Sequence, residues 1–130
     1  MISSVNATPQ IREDLLRDPR YPLHTIADEL LPYLQILADQ FHPKHVILFG
    51  SYADGVPNVH SDVDLLIIKD TNVSSLAMRK EILKSWRPIR WSATPLPIEL
   101  LVVSPFEHQK RINAGGSFYE SITKNGISLM

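Results

Sequence analysis

Between Leu23 and Phe41 the residues Ile26, Leu30, Leu34, Leu37 and Phe41 recur every three or four positions, the spacing of one stripe on a helix. Pro32 falls inside that stripe and predicts a kink or two consecutive helices. Upstream, Thr8 followed by Pro9 predicts the start of a short first helix, because threonine can cap free N–H groups and proline needs none there. After the polar break His42-Pro43-Lys44 the pattern changes. Val46-Ile47-Leu48-Phe49 is short, β-branched and aromatic, and Gly50 closes it, which predicts a buried strand. A turn-rich stretch from Ser51 to Ser61 leads into Asp62-Val63-Asp64-Leu65-Leu66-Ile67-Ile68, a second strand with its acids at one end.

Ser74 to Trp86 predicts a helix with Leu76, Ile82, Leu83 and Trp86 turned inward. Pro88, Pro95 and Pro97 make Arg87 to Pro97 a loop or irregular edge before a third strand, Ile98 to Val103. Ser104-Pro105-Phe106-Glu107 supplies an N-cap, a first-turn proline and a capping-box glutamate. Ser117 and Glu120 repeat that spacing, so the chain is expected to close as two short helices divided by Gly115-Gly116, then an edge strand near Ile127 to Leu129. The expected fold is α/β, in the sense of α+β: a small mixed, mostly antiparallel sheet with helices on one face. One domain spans 1–130, with N-terminal helices over 1–41 and a core over 44–130.

Composition narrows the function. With 130 residues and 44% hydrophobic content there is apolar material for one core. Thirteen basic against fourteen acidic side chains give a net charge of −1, without the basic field that grips a nucleic-acid backbone. The absence of cysteine excludes a disulfide scaffold and thiolate-bound zinc. No apolar run approaches the ~20 residues that span a bilayer, and the expected compartment is the cytoplasm.

The chemistry concentrates in Gly50-Ser51, ten intervening residues, then Asp62-Val63-Asp64. Glycine at a strand end permits a sharp turn and lets a phosphate approach the backbone. Ser51 adds a hydroxyl donor, and a helix beginning there would aim N–H groups at an anion. On a strand, residues two apart point from the same face, so the Asp62 and Asp64 carboxylates sit together and call for a cation. Magnesium suits carboxylate and triphosphate oxygens alike. With two ions, one activates an attacking hydroxyl and the other steadies the leaving pyrophosphate. Glu99, the sole acid of the third predicted strand, is the expected third ligand, since an acid among apolar neighbours is costly to leave unpaired.

Glycine-serine, ten residues, then aspartate-any-aspartate with an apolar tail resembles the signature of the DNA polymerase β-type nucleotidyltransferase superfamily, in its minimal (MNT) branch. The likeness is close over Val46 to Ile68. It extends more loosely to the end of the chain, through Gly116-Ser117-Phe118-Tyr119 and Asn125-Gly126-Ile127-Ser128-Leu129. At two positions the chain departs from that branch: Glu99 stands where aspartate is commoner, and Asp54 where relatives often carry arginine. The resemblance implies a palm-like fold and magnesium-dependent transfer of a nucleoside monophosphate. Asp62, Asp64 and Glu99 would be catalytic and metal-binding, Gly50 and Ser51 would bind the nucleotide, and ATP would be the substrate. MNT-branch proteins are often paired with a HEPN-type partner protein in toxin-antitoxin systems, which implies an antitoxin that adenylylates its toxin. Rival readings are transfer to a small molecule such as an aminoglycoside, and a catalytically silent antitoxin or binding module. Self-association is compatible with either.

Other chemistries fit less well. Haloacid dehalogenase-type phosphatases place the aspartate pair after the apolar strand, an EF-hand needs a loop glycine and later glutamate, and a Walker loop needs lysine. His42, His45 and His60 share no ligand spacing and are expected in loops. Trp86 is expected in the core, Tyr119 to pack, and Arg79, Lys80, Lys84, Arg87 and Arg90 to form a solvated face. Lys69 and Arg79 are candidates to replace the cation missing at Asp54.

Overall fold

The computed structural model describes residues 8–92 and 95–130. Its sheet has four strands: β1 (His45–Phe49), β2 (Val63–Ile68), β3 (Ile98–Val103) and β4 (Ile127–Ser128). They lie in the order β3-β2-β1-β4, with β1 antiparallel to both neighbours and β2 parallel to β3. Seven helices accompany them: α1 (Glu13–Leu16), α2 (Ala27–Ile36), α3 (Ser51–Asp54), α4 (Ser75–Ser85), α5 (Arg87–Ser92), α6 (Pro105–Ala114) and α7 (Ser117–Asn125). A tight 3-10 turn, Pro22–Ile26, precedes α2, and a wide π turn, Leu37–Phe41, follows it.

The apolar run Leu65 to Ile68 suits β2 to an interior place in the sheet, and every residue of that run is buried. Alternation along the strands assigns two faces. On the first, Val46, Leu48, Leu65, Ile67 and Val102 meet Leu16, Leu30, Leu34 and Trp86 from the helices. On the second, Leu66, Ile68 and Val103 are covered by Tyr119 and Ile122 of α7. Phe49, Asp64 and Glu99 stand side by side on this second face, at the end of the strands that α7 leaves open.

Several expectations change for identifiable reasons. The first helix starts at Glu13 rather than at Thr8-Pro9, because the N–H of Arg12 is tied to the carbonyl of Leu129 at 2.8 Å. The chain changes helix type at Ile26 and Ile36 and runs α-helical through Pro32, which costs one ladder hydrogen bond to the carbonyl of exposed Asp28. Leu76, in the first turn of α4, is 59% exposed, and Met78 packs toward the core instead. Arg87 to Ser92 is helical rather than a loop. Pro88 occupies its first turn, where no N–H is required, and Arg90 N donates to Trp86 O.

Ser104 caps α6 as expected, accepting from Glu107 N at 3.0 Å. Ser117 does not cap α7. Gly115 ends α6 with φ +74°, Gly116 is extended, and the helix resumes at Ser117 itself. His45 opens β1 instead of lying in a loop.

Trp86 is fully buried, packed edge-on to Tyr33 at 5.1 Å between centroids, and its Nε1 donates to the Tyr33 carbonyl at 3.2 Å. Trp86→Ala should therefore cost about 3–5 kcal/mol in urea unfolding. A loss under about 1 kcal/mol would mean that α2 and α4 are not joined as described.

Candidate active site

The site begins with one glycine. At Gly50 the chain leaves β1 with φ +81°, a conformation that side chains strain to adopt, and turns into α3. A Cβ at position 50 would collide with Oδ2 of Asp64, so the strand end and that carboxylate can share the spot only through glycine. In the single turn of α3, Ala53 N and Asp54 N donate to Gly50 O at 3.0 and 3.3 Å. Gly55 N donates to Ser51 O at 3.0 Å, and a Cβ there would stand 2.8 Å from Ser51 Cα, so the exit from the turn needs glycine too. Ser51 is held half-buried at the start of the turn.

Register brings the acids together. Asp64 pairs with Phe49 on one side and Glu99 on the other, while Asp62 lies just ahead of β2, exposed. Burial pushes the Asp64 carboxyl above its ordinary pKa, and the negative charges of Asp62 and then Glu99 push it further. Among the described residues, none of the three forms an ion pair with lysine, arginine or histidine. The two cations considered as substitutes are engaged with backbone carbonyls rather than with the acids. Lys69 Nζ donates to Phe41 O at 2.5 Å, past the far end of β2, and Arg79 Nε donates to Leu100 O at 3.3 Å. Asp54 is exposed at the end of α3.

Among the described residues, no group of three acidic or histidine side chains is arranged as it stands to hold a metal ion. The donor set nonetheless suits a hard cation: carboxylate oxygens at one edge of the sheet, with a charge that no ion pair among the described residues offsets. Side-chain rotation on a fixed backbone is what convergence would require.

Two clefts meet at Gly50. One, of about 410 Å³, is lined by Phe49, Gly50, Asp64, Glu99, Leu101 and Phe118. The other, of about 150 Å³, is bounded by Gly50, Asp54, Phe118, Ser121 and Asn125. Phe118 forms a wall of both, set edge-on to Phe49 with centroids 6.2 Å apart. Sequence reasoning gave this residue no role. Besides its place in the Gly116-Ser117-Phe118-Tyr119 segment, a signal is that it falls beside the inward stripe of α7 that Tyr119 and Ile122 define, which leaves this large apolar residue 66% exposed.

The remaining candidates lie apart from the acids. Tyr119 packs as expected, its hydroxyl on His108 Nδ1. Lys80, Lys84, Arg87 and Arg90 line a separate groove with Leu83. Trp91 is 84% exposed and lines neither acid-end cleft.

A strand-end glycine turn beside acids on two adjacent parallel strands can place a phosphate next to carboxylates suited to a hard cation. Residues 32–127 match the family model of the nucleotidyltransferase domain, and the chain belongs to that family. The four-stranded mixed sheet with its seven helices agrees with the polymerase β-like nucleotidyltransferase fold. No curated protein matches the chain. No helix among the described residues is long and apolar enough to cross a membrane.

The raised pKa of Asp64 has a stability consequence. The folded state binds its proton more tightly than the unfolded chain does, so this group's contribution falls as pH rises from the ordinary aspartate range through the folded pKa. Without divalent cations, Asp64→Asn should melt higher than the wild type at pH 7 to 8, with the gap closing toward pH 4. Equal melting temperatures across that range would contradict the crowding of Asp64 by Asp62 and Glu99.

Proposed function

We propose that the chain transfers AMP from ATP to a hydroxyl of a partner protein, with Asp62, Asp64 and Glu99 as its metal-binding carboxylates. The observation that carries this reading is the crowding of three acids, in no ion pair among the described residues, beside the Gly50 turn. Gly50 leaves room for a phosphate at the strand end, and the Ser51 hydroxyl is available to hydrogen-bond it. Asp64 is fixed by β2 between Phe49 and Glu99, so it orients whatever binds there. Glu99, exposed and two strands from Gly50, is the residue best situated to receive the acceptor's proton. Magnesium bound by these carboxylates would neutralise charge on the triphosphate and lower the pKa of the attacking hydroxyl. The remaining acceleration comes from alignment of two substrates on a rigid strand pair.

Asp62 and Glu99 are both exposed, so a hydroxyl carried on another macromolecule can reach them. With the likeness to the MNT branch, this favours a HEPN-type toxin as acceptor and an antitoxin role for this chain. The core over 44–130 carries the chemistry in this reading, and the helices over 1–41 support it. A second reading has its own observation. The acids do not converge as they stand, and Asp54 takes the place of an arginine, as in a silent antitoxin that acts by contact.

Mass spectrometry of a co-expressed partner separates the two. Adenylylation adds ~329 Da per site, the kind of covalent change that alters local charge. Asp62→Asn with Asp64→Asn should abolish both the added mass and the neutralisation of the toxin. An unmodified partner that the double variant still neutralises would establish the silent reading.

A further inference from the structure

Phe118 is an unusual residue to find at the acid-bearing cleft. Its ring is 66% exposed, although α7 has a well-defined inner face on which Tyr119 and Ile122 are buried. Phe49 packs edge-on against the ring, with planes at 85°, and supports it on one side. The cleft it walls is chemically divided: Asp64 and Glu99 are its charged part, while Phe49, Leu101 and Phe118 are apolar. A ligand suited to it carries negative charge offset by a cation at one end and a flat apolar group at the other.

We propose that Phe118 is the platform on which the nucleobase stacks. This rests on the reading of the cleft as a nucleoside triphosphate site and names its base-binding residue. Stacking on an exposed phenyl ring is tolerant of base identity, since every base has a π-face. The geometry therefore assigns Phe118 to affinity for the base rather than to the choice among bases. It also gives the exposed ring a purpose that burial against the sheet would not serve. Phe106 supplies an internal control, because it is 78% exposed on α6 and lines neither cleft.

The test compares binding of ATP and of tripolyphosphate, each with magnesium, by calorimetry. Tripolyphosphate offers the phosphates without the base. Phe118→Ala should weaken ATP at least about fivefold, the low end of a stacking contribution, and leave tripolyphosphate within about twofold. Phe118→Trp should retain ATP affinity, and Phe106→Ala should change neither ligand. At 66% exposure Phe118 is not part of the buried core, and unchanged melting of the variants verifies this. Unchanged ATP affinity in Phe118→Ala, or equal weakening of both ligands, would overturn the stacking role while leaving the triphosphate site standing. A wild-type protein that binds neither ligand would overturn the nucleotide reading and the stacking role together.

Discussion

The rest of the structure is arranged around a repulsion: Asp64 is held against the Gly50 backbone with the charges of Asp62 and Glu99 close by, and among the described residues no cation is ion-paired to any of them. Carboxylates left to themselves would separate into solvent. Here the backbone fixes the positions from which they reach out, because Asp64 and Glu99 are partners in the parallel pairing of β2 with β3. The glycine is part of the same constraint. Any side chain at position 50 would displace Asp64, so the turn and the acid occupy their places only together.

Holding that arrangement requires a stiff support. Beyond Asp64, β2 is buried on both faces, and its two partners close the backbone hydrogen bonds on either side. Trp86 and Tyr33 lock the helices to the first face, and Tyr33 Oη accepts from Leu96 N at 3.4 Å, just before β3 begins. The entry of β3, and with it Glu99, is thereby anchored to the same core. On the second face α7 covers Leu66, Ile68 and Val103 and stops short of the acids, which leaves the cleft open and brings Phe118 to its rim. Stability is invested in the far end of the sheet, and repulsion is tolerated at the near end.

Much of this was legible because it depends on short-range pattern. Asp62 to Ile68 and Ile98–Val103 read as strands from their apolar residues beyond one acidic end, and Gly50-Ser51 with Asp62 and Asp64 read as a candidate site from strand-end chemistry. The errors share a cause. Pro88 by its local pattern predicts a break, but in a first turn proline is accepted, and Ile89 packs the helix against the core. Ser117 matched a capping pattern that the conformations of Gly115 and Gly116 had already shifted by one residue. Phe118 was invisible as a cleft wall because its position depends on how α7 crosses the sheet, which no local window encodes.

The central claim is that Gly50, Ser51, Asp62, Asp64 and Glu99 form one cation-dependent nucleotide site. It is tested most directly by titrating paramagnetic manganese into isotope-labelled protein with a non-hydrolysable ATP analogue and following amide signals by NMR. Selective, saturable broadening around residues 50–51, 62–64 and 99, lost in Asp64→Asn, is the predicted result. Broadening centred elsewhere, for instance at His42 and His45, or none at stoichiometric manganese, would contradict it.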